Sequence, residues 1–482
     1  MPSRPAVGWS APCRRRGRVI DTAMKHQHHT HESRTDGPCG GRARSRWWAV
    51  GLAGMTGLAL TATVAVATPV ADAVGRATVA DDRLGKPDRP QGGDHRDEGK
   101  GEDASHVKKP TGTPVPCSTG RLIAAITLAN ARGGAVLDLA KKCTYLLTAD
   151  IDGAGLPAIT TPITLNGGKN TTIKRAAAAD DFRILTVNAN GRLTLNHLTI
   201  TGGRLSGDND GGGILINSGG GATVDTSKIV ANVSVDGDAG AIMNNGGVLD
   251  IRHSIISRNT AANIGGAIFS IGQLVVDKSR FDANAALTGG AITISGDVTI
   301  TRSELVDHQA ADGGAVFFLG GSTGKITDTR FARNTATNTG GSAIGGGPTQ
   351  LTMSRVTLAN NTTTGAGGGA LFLQGGSALV EDSVIKNNVG TNGGGIRNLG
   401  GLTLLRTQVT GNQATESGGG ILNEANGVLA LLSTKVVKNV AGTDGGGIFN
   451  AVGGTVDLNT ATGTIVAKNR PNNCTNVPDC PD

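Results

Sequence analysis

From residue 212 onward an aliphatic residue follows a glycine-rich step at nearly constant intervals. The steps are Gly212-Gly213-Ile214, Gly240-Ala241-Ile242, Gly266-Ala267-Ile268, Gly290-Ala291-Ile292 and Gly314-Ala315-Val316. They continue at Ser342-Ala343-Ile344, Gly369-Ala370-Leu371, Gly394-Gly395-Ile396, Gly419-Gly420-Ile421 and Gly446-Gly447-Ile448. Successive aliphatic positions are 24 to 28 residues apart. Each unit then carries a short alternating stretch, such as Val248-Leu-Asp-Ile251, Leu274-Val-Val276, Val298-Thr-Ile300 or Leu402-Thr-Leu404. A second mark follows: Ser or Thr, one residue, an apolar residue, two residues, then Asn. Ser254-Ile-Ile-Ser-Arg-Asn259 and Thr329-Arg-Phe-Ala-Arg-Asn334 are examples. This pattern predicts three strands of three to five residues per unit, and no stretch long enough for a helix.

A unit this short cannot bury its apolar side alone, whereas stacked units can. Each strand then pairs in parallel with its equivalent one turn away, about 4.8 Å distant. The expected fold is all-β: a parallel β-helix of about 10–14 coils, roughly 50–65 Å long, with three sheets around a thin aliphatic core. The general bias of crossovers favours the right-handed form. The glycines fit corners with positive φ and close backbone approach. They lack the Lys-Ser/Thr ending and strand–helix setting of phosphate loops.

The asparagines form a column: Asn232, Asn259, Asn284, Asn334, Asn361, Asn388, Asn412, Asn439 and Asn469, with His308 in the same slot. Stacked amides can hydrogen-bond along the axis, so a structural ladder is expected. Asn also tolerates a left-handed corner conformation. The slot before the ladder reads Ala231, Arg258, Ala283, Asp307, Arg333, Asn360, Asn387, Gly411, Lys438 and Lys468, with no dominant sign.

Ahead of the regular units, residues 121–132 place Leu122, Ala125, Ile126 and Ala129 on one helical face. Ser118 or Thr119 can cap this helix and Gly133 can end it. An open β-helix end exposes unpaired backbone, and an amphipathic helix is suited to cover it. Residues 115–202 are therefore read as an N-terminal cap with irregular first coils, 203–470 as regular repeats, and 471–482 as a C-terminal tail.

Composition narrows the alternatives. Glycine supplies 76 of 482 residues, more than twice the usual share of about 7 %, without the every-third-residue period of collagen. Aromatic residues are 2 %, and every Trp (Trp9, Trp47, Trp48) lies near the N-terminus. An aromatic-centred core is thereby excluded. Net charge is +7, but residues 1–73 hold 10 Lys/Arg against 4 Asp/Glu, leaving the remainder at 35 against 34. The basic excess is thus no sign of a nucleic-acid partner.

Residues 1–73 run from a basic segment ending Arg42-Ala-Arg44-Ser-Arg46, through an uncharged stretch at 47–67, to Ala65-Val66-Ala67 and Ala71-Asp72-Ala73. This order reads as a basic leader and signal peptide, with Met24 an alternative start. An uncleaved membrane anchor is the rival reading. His26, His28, His29 and His31 belong to that leader. Residues 74–114 read as a disordered charged linker. Cys13 and Cys39 would leave with the leader. Cys117, Cys143, Cys474 and Cys480 remain, and in an exported chain they are expected as disulfides, with Cys117–Cys143 and Cys474–Cys480 favoured by nearness. The expected location is secreted or cell-surface.

The Gly265-Gly-Ala-Ile268, Phe281-Asp-Ala-Asn284 and Phe331-Ala-Arg-Asn334 marks resemble the repeats of polymorphic outer-membrane-type proteins. The segments Leu122-Ile-Ala-Ala-Ile126 to Asn130 and Lys142-Cys143-Thr-Tyr-Leu-Leu-Thr148 resemble the front of exported bacterial right-handed β-helix repeat proteins. The likeness spans about residues 115–482. It implies a pectin-lyase-like β-helix, export, and adhesion or surface display, with no defined activity. Autotransporters of that kind end in a membrane β-barrel. This chain ends at Asp482, so self-translocation is not expected.

The same fold also hosts polysaccharide lyases and glycosidases, so fold alone does not decide. Glycosidases need facing carboxylates. The Asp pairs at 81–82 and 180–181 have no match at coil spacing, and the Gly-His-Gly and Arg-x-Lys signatures of polygalacturonase-like enzymes are absent. Asp208 with Asp210, or Asp236 with Asp238, could bind calcium weakly but read as solvated turns. His197 and His253 stand alone in strand-like stretches. The expectation is a non-catalytic binding or adhesion scaffold with no cofactor, metal or catalytic residue. Its partner would be a cell-envelope protein or polysaccharide, and a membrane only if the signal segment is kept. The alternative is a divergent polysaccharide lyase or glycoside hydrolase.

Overall fold

The computed structural model describes residues 112–207 and 210–481. The leader, Cys13, Cys39, the histidine tract, Asp81–Asp82, most of the charged linker and Asp208 lie outside the described residues.

One coil shows how the sequence makes the fold. In Gln273–Asp277, Leu274 and Val276 point inward while Gln273 is exposed. Arg280–Asp282 sends Phe281 into the core, and Ile268–Ser270 sends in Ile268. Each strand pairs in parallel with its neighbours in the adjoining coils: Leu274 lies between Leu249 and Val298, and Phe281 between Ile256 and Leu305. Repeating this yields sheets of 14, 12 and 13 strands, a parallel β-helix of about thirteen coils. The inward residues form one continuous core from Val115 to Val466.

From Arg204 onward most coils have more than the three strands expected. A two-residue strand follows the Asn slot, as at Val233–Ser234, Thr260–Ala261, Gln309–Ala310 and Thr335–Ala336. Single bridges through Ala285 join the two groups of these strands into one column. Two residues are too few for alternation to be legible, so the sequence pattern hides this fourth side.

The corners depend on left-handed backbone. All ten residues of the slot before the ladder have positive φ, from Ala231 (53°) and Arg258 (53°) to Lys438 (58°) and Lys468 (59°). The ladder asparagines do not, which corrects the expectation that they turn the corner themselves. A second left-handed column precedes the Ser/Thr mark and includes His197 (54°) and His253 (48°), so these histidines sit at corners, not in strands. In the Gly-Gly-Ala-Ile step the first glycine supplies positive φ, as at Gly265 (67°). The second supplies space: a Cβ on Gly266 would lie 2.1 Å from the Gly290 carbonyl oxygen and 2.5 Å from that of Ala285.

The helix spans Thr119–Ala131 and places Leu122, Ile126 and Ala129 in the solenoid core, with Ala125 packed at its edge. Ser118 occupies the cap position without a side-chain cap bond, while Thr119 Oγ1 donates to Leu146 O at 2.9 Å. Gly133 follows at φ 81°. The fold begins slightly before residue 115, because Thr113–Val115 pairs in parallel with Leu137–Leu139. The first coils are regular in two sheets, and the 12-stranded sheet starts only at Leu185–Val187. At the other end, Cys474–Thr475 extends that sheet beyond Ile448–Phe449. The structure joins Cys117 to Cys143 and Cys474 to Cys480, with Cα separations of 5.7 and 6.2 Å. Among the described residues no helix is long and apolar enough to cross a membrane.

Gly266→Ala must push two coils apart and is expected to cost about 1–3 kcal/mol. Gly120→Ala, whose Cβ would meet nothing closer than Ser118 Oγ at 4.0 Å, should be neutral or stabilise by up to about 1 kcal/mol. Chemical denaturation followed by circular dichroism compares the two, and equal effects would refute the close-stacking argument.

Candidate functional site

The polar residues singled out by the sequence lie inside, and the structure brings them together as a ladder. Each amide donates from Nδ2 to Oδ1 of the next: Asn232 to Asn259 (3.0 Å), Asn259 to Asn284 (3.0 Å), Asn334 to Asn361 (2.9 Å) and Asn361 to Asn388 (3.0 Å). The series runs on through Asn388 to Asn412 (2.9 Å), Asn412 to Asn439 (3.0 Å) and Asn439 to Asn469 (3.0 Å). The same Oδ1 also accepts the backbone N–H of the preceding ladder residue, as in Asn334 N to Asn361 Oδ1 (3.0 Å). The second Nδ2 proton reaches a strand carbonyl one coil back, as in Asn361 to Phe331 O (3.2 Å). Every donor and acceptor of such an amide is used, which is what a fully buried Asn requires. The tail closes the column, since Asn469 Nδ2 donates to Asn473 Oδ1 at 3.2 Å.

His308 interrupts it. Its Nδ1 accepts the Asn284 backbone N–H at 3.1 Å, and its own N–H donates to Asn334 Oδ1 at 3.1 Å. The imidazole proton is therefore on Nε2, which interacts with the Phe281 carbonyl but forms no hydrogen bond of normal geometry. No amide-to-amide bond crosses this step. Complete burial pushes the imidazole pKa from 6.5 down to about 3, against the opposing influence of Asp307.

Two further ladders escaped the sequence reading. The Ser/Thr mark is one: Ser227 N, Ser254 N and Ser279 N each donate to the hydroxyl of the next coil at 3.1 Å. Each hydroxyl also bonds to the carbonyl two residues back, as Ser279 Oγ does to Asp277 O at 2.8 Å. Val356 supplies no oxygen and breaks this column, which resumes where Val356 N donates to Ser383 Oγ at 2.9 Å. The other is Asn398–Asn423–Asn450, joined by bonds of 2.8 and 2.8 Å. Its signal is an Asn two residues after the aliphatic step, three times running.

The acidic loops are more than solvated turns. Asp210 Oδ1 accepts Asp238 N–H at 2.8 Å, Asp238 Oδ1 accepts Ile264 N–H at 3.3 Å, and Asp312 Oδ1 accepts the N–H groups of Thr339 and Gly340 at 2.9 and 3.0 Å. These carboxylates staple one loop to the next. Burial, and then Asp210, push the Asp238 carboxyl up to about 6. The Arg183 guanidinium donates to Asp210 O at 3.1 Å. Among the described residues no group of three or more His, Cys, Asp or Glu is placed to hold a metal ion.

On the outside, arginine columns are neutralised from coil to coil. Arg302 donates to Asp277, Arg333 to Asp307, Arg355 to Asp328 and Arg406 to Asp382, at 2.6–2.9 Å. Glu304 lies between Arg280 and Arg330. Bonds from arginine hold Asp307, Asp328 and Asp382 below the usual carboxylate range. Exposed pairs of this kind add little stability, but they cancel charge along the surface. A concavity of about 370 Å³ lies where the first coils turn from the 14-stranded into the 13-stranded sheet, and its lining includes Lys169, His197 and Lys228.

No protein-family model matches the chain, and neither does any curated protein. Among solved structures the chain is similar to the A-modules of two mannuronan C-5 epimerases of Azotobacter vinelandii, AlgE4 and AlgE6. Each likeness has 14 % identity and covers 70 % of this chain and 91 % of that module, with TM-scores of 0.27 and 0.31. The fold assignment rests on the strand pairings themselves.

Asn334→Leu should strand the His308 N–H and the Leu305 carbonyl, at about 1–3 kcal/mol for each unsatisfied group, and hydrogen exchange should quicken across residues 308–361. Unchanged protection there would refute the ladder's contribution. For His308 the folded pKa lies below the unfolded one, so its share of stability is complete above pH 6.5 and is lost as pH falls toward about 3. His308→Asn should restore the amide step, raise stability, and flatten that part of the pH dependence. Denaturation midpoints measured from pH 7 downward give the comparison, and parallel curves for variant and wild type would contradict it.

Proposed function

We propose that the chain is an exported, non-catalytic β-helix scaffold that meets a cell-envelope protein or polysaccharide along its outer surface. The observation that carries this reading is where the reactive side chains go. Many of the buried Asn, Ser and Thr are committed to bonds between coils, loop aspartates such as Asp210 hold neighbouring loops, and the exposed Arg302, Arg333, Arg355 and Arg406 are paired with Asp. What is left outside is a long, mixed, shallow face of the kind that suits extended contact with a partner. The two disulfides support an oxidising compartment. The likeness of the repeat marks to those of polymorphic outer-membrane-type proteins agrees with surface display.

One observation favours a polysaccharide-modifying enzyme instead. Asp238, with its carboxyl held near 6 beside Asp210, has the protonation behaviour of a general acid. Its hydrogen bond from Ile264 N–H already accounts for its position, and the scaffold reading is preferred for that reason.

Incubation of the purified chain with pectate, alginate, chondroitin and xylan, with and without calcium, should give no unsaturated uronate absorbance and no new reducing ends. Products that disappear with Asp238→Asn would overturn the scaffold reading.

A further inference from the structure

The concavity at the first coils arises from a departure in the repeat. Between the 14-stranded and 13-stranded sheets most coils turn in two residues, as at 197–198 between Arg192–Asn196 and Thr199–Thr201, or at 226–227 between Gly221–Asp225 and Lys228–Val230. Between Pro162–Asn166 and Thr172–Arg175 the turn takes five, residues 167–171. The longer turn raises a wall beside the coil that carries His197 and Thr199. Lys228, one coil further on, borders the other side, and the space between is lined by Lys169, Asn170, Thr171, His197, Thr199, Thr226 and Lys228 among others.

At this corner unpaired lysines converge on one hollow. Lys169 and Lys228 are exposed and have no ion pair among the described residues, and Lys141, Lys142 and Lys174 flank them in the same condition. The carboxylate that acts on His197 is Asp225, and it is already bonded to Thr226 Oγ1 at 3.0 Å and His253 Nδ1 at 3.2 Å. In later coils Arg333, Arg355 and Arg406 are answered by Asp307, Asp328 and Asp382, while unpaired lysines such as Lys438 and Lys468 are not among the residues that line this hollow. Here two ammonium groups and several hydroxyls and amides line one polar hollow, and neither ammonium group is held by a carboxylate.

We propose that this corner binds an anionic polysaccharide, with Lys169 and Lys228 on either side of an acidic sugar and the threonine and asparagine groups toward its hydroxyls. A carboxylate or a sulfate would satisfy the lysines equally. A nucleic acid fits less well, because the described residues contain no Trp and their one Tyr, Tyr145, is buried, so bases have no stacking platform. The proposal names a ligand class for the scaffold proposed above and rests on that reading.

Binding of the full chain to polygalacturonate, dextran sulfate, neutral dextran and duplex DNA should be measured by titration at about 50 mM salt, where screening is weak. Polygalacturonate, dextran sulfate or both should bind, neutral dextran should not, and DNA should bind more weakly. Lys169→Gln with Lys228→Gln should weaken the interaction at least about tenfold, equivalent to about 1.4 kcal/mol. Lys438→Gln with Lys468→Gln, two lysines in register on adjacent coils far along the chain and not among the residues lining this hollow, should leave it within about twofold. No binding of either anionic polymer, equal losses in both double variants, or tighter binding of DNA would each overturn the proposal. Circular dichroism of the variants checks that the fold is intact. Absence of binding without cleavage would refute this inference and leave the scaffold reading standing. Binding accompanied by cleavage would do the reverse.

Discussion

The constraint on which this structure depends is the register between coils. A parallel β-helix has no hydrogen bonds within a strand, so nearly every backbone group must find its partner in a neighbouring coil about 4.8 Å away. Once Leu274 sits between Leu249 and Val298, the positions of Phe281 and Asn284 follow, because the turn from Gln273–Asp277 to Arg280–Asp282 is two residues long. A polar side chain buried at a corner must then satisfy itself along the axis. Asn is nearly unique in doing so, since it can accept two bonds from one neighbour and donate one to the other while its second proton reaches a strand carbonyl. A hydroxyl does a lesser version of the same, and the Ser/Thr column shows it.

The register also explains which residues turn the corners. A ladder Asn must keep its amide aimed along the axis, so the left-handed conformation falls to the residue before it. That residue points outward and is free to vary, which is why the slot contains Ala, Arg, Asp, Asn, Gly and Lys. Left-handed backbone in residues with a Cβ carries an energetic cost, offset at each step by the ladder bonds that fix the corner. In the Gly-Gly-Ala-Ile step the requirement is different, since backbone passes too close to backbone for any side chain at Gly266.

The sequence was legible where the register repeats it. Ten aliphatic steps and ten ladder positions revealed the β-helix, its strand alternation and the axial asparagines. The fourth column was invisible because two residues such as Thr260–Ala261 have no period to detect. The Ser/Thr mark was seen but its bond was not, because a single hydroxyl carries no sign of which backbone group it will meet. His308 matched the slot by position only. Its imidazole has one acceptor where Asn has an oxygen with two lone pairs, so the amide chain stops there although the backbone continues.

The concavity at the first coils was illegible for the opposite reason. An insertion is a gap in a pattern, and residues 167–171 resemble any polar turn until the coils on either side are in place. This asymmetry has a consequence for function. On a surface built from stacked equivalents an arginine in one coil can find an acid directly beside it in the next, as Arg333 finds Asp307 and Arg355 finds Asp328. Unpaired lysines occur in regular coils too, but Lys169 stands on the longer turn and lines one hollow with Lys228. In a solenoid of this kind the repeats build the support, and recognition is best sought at its irregularities.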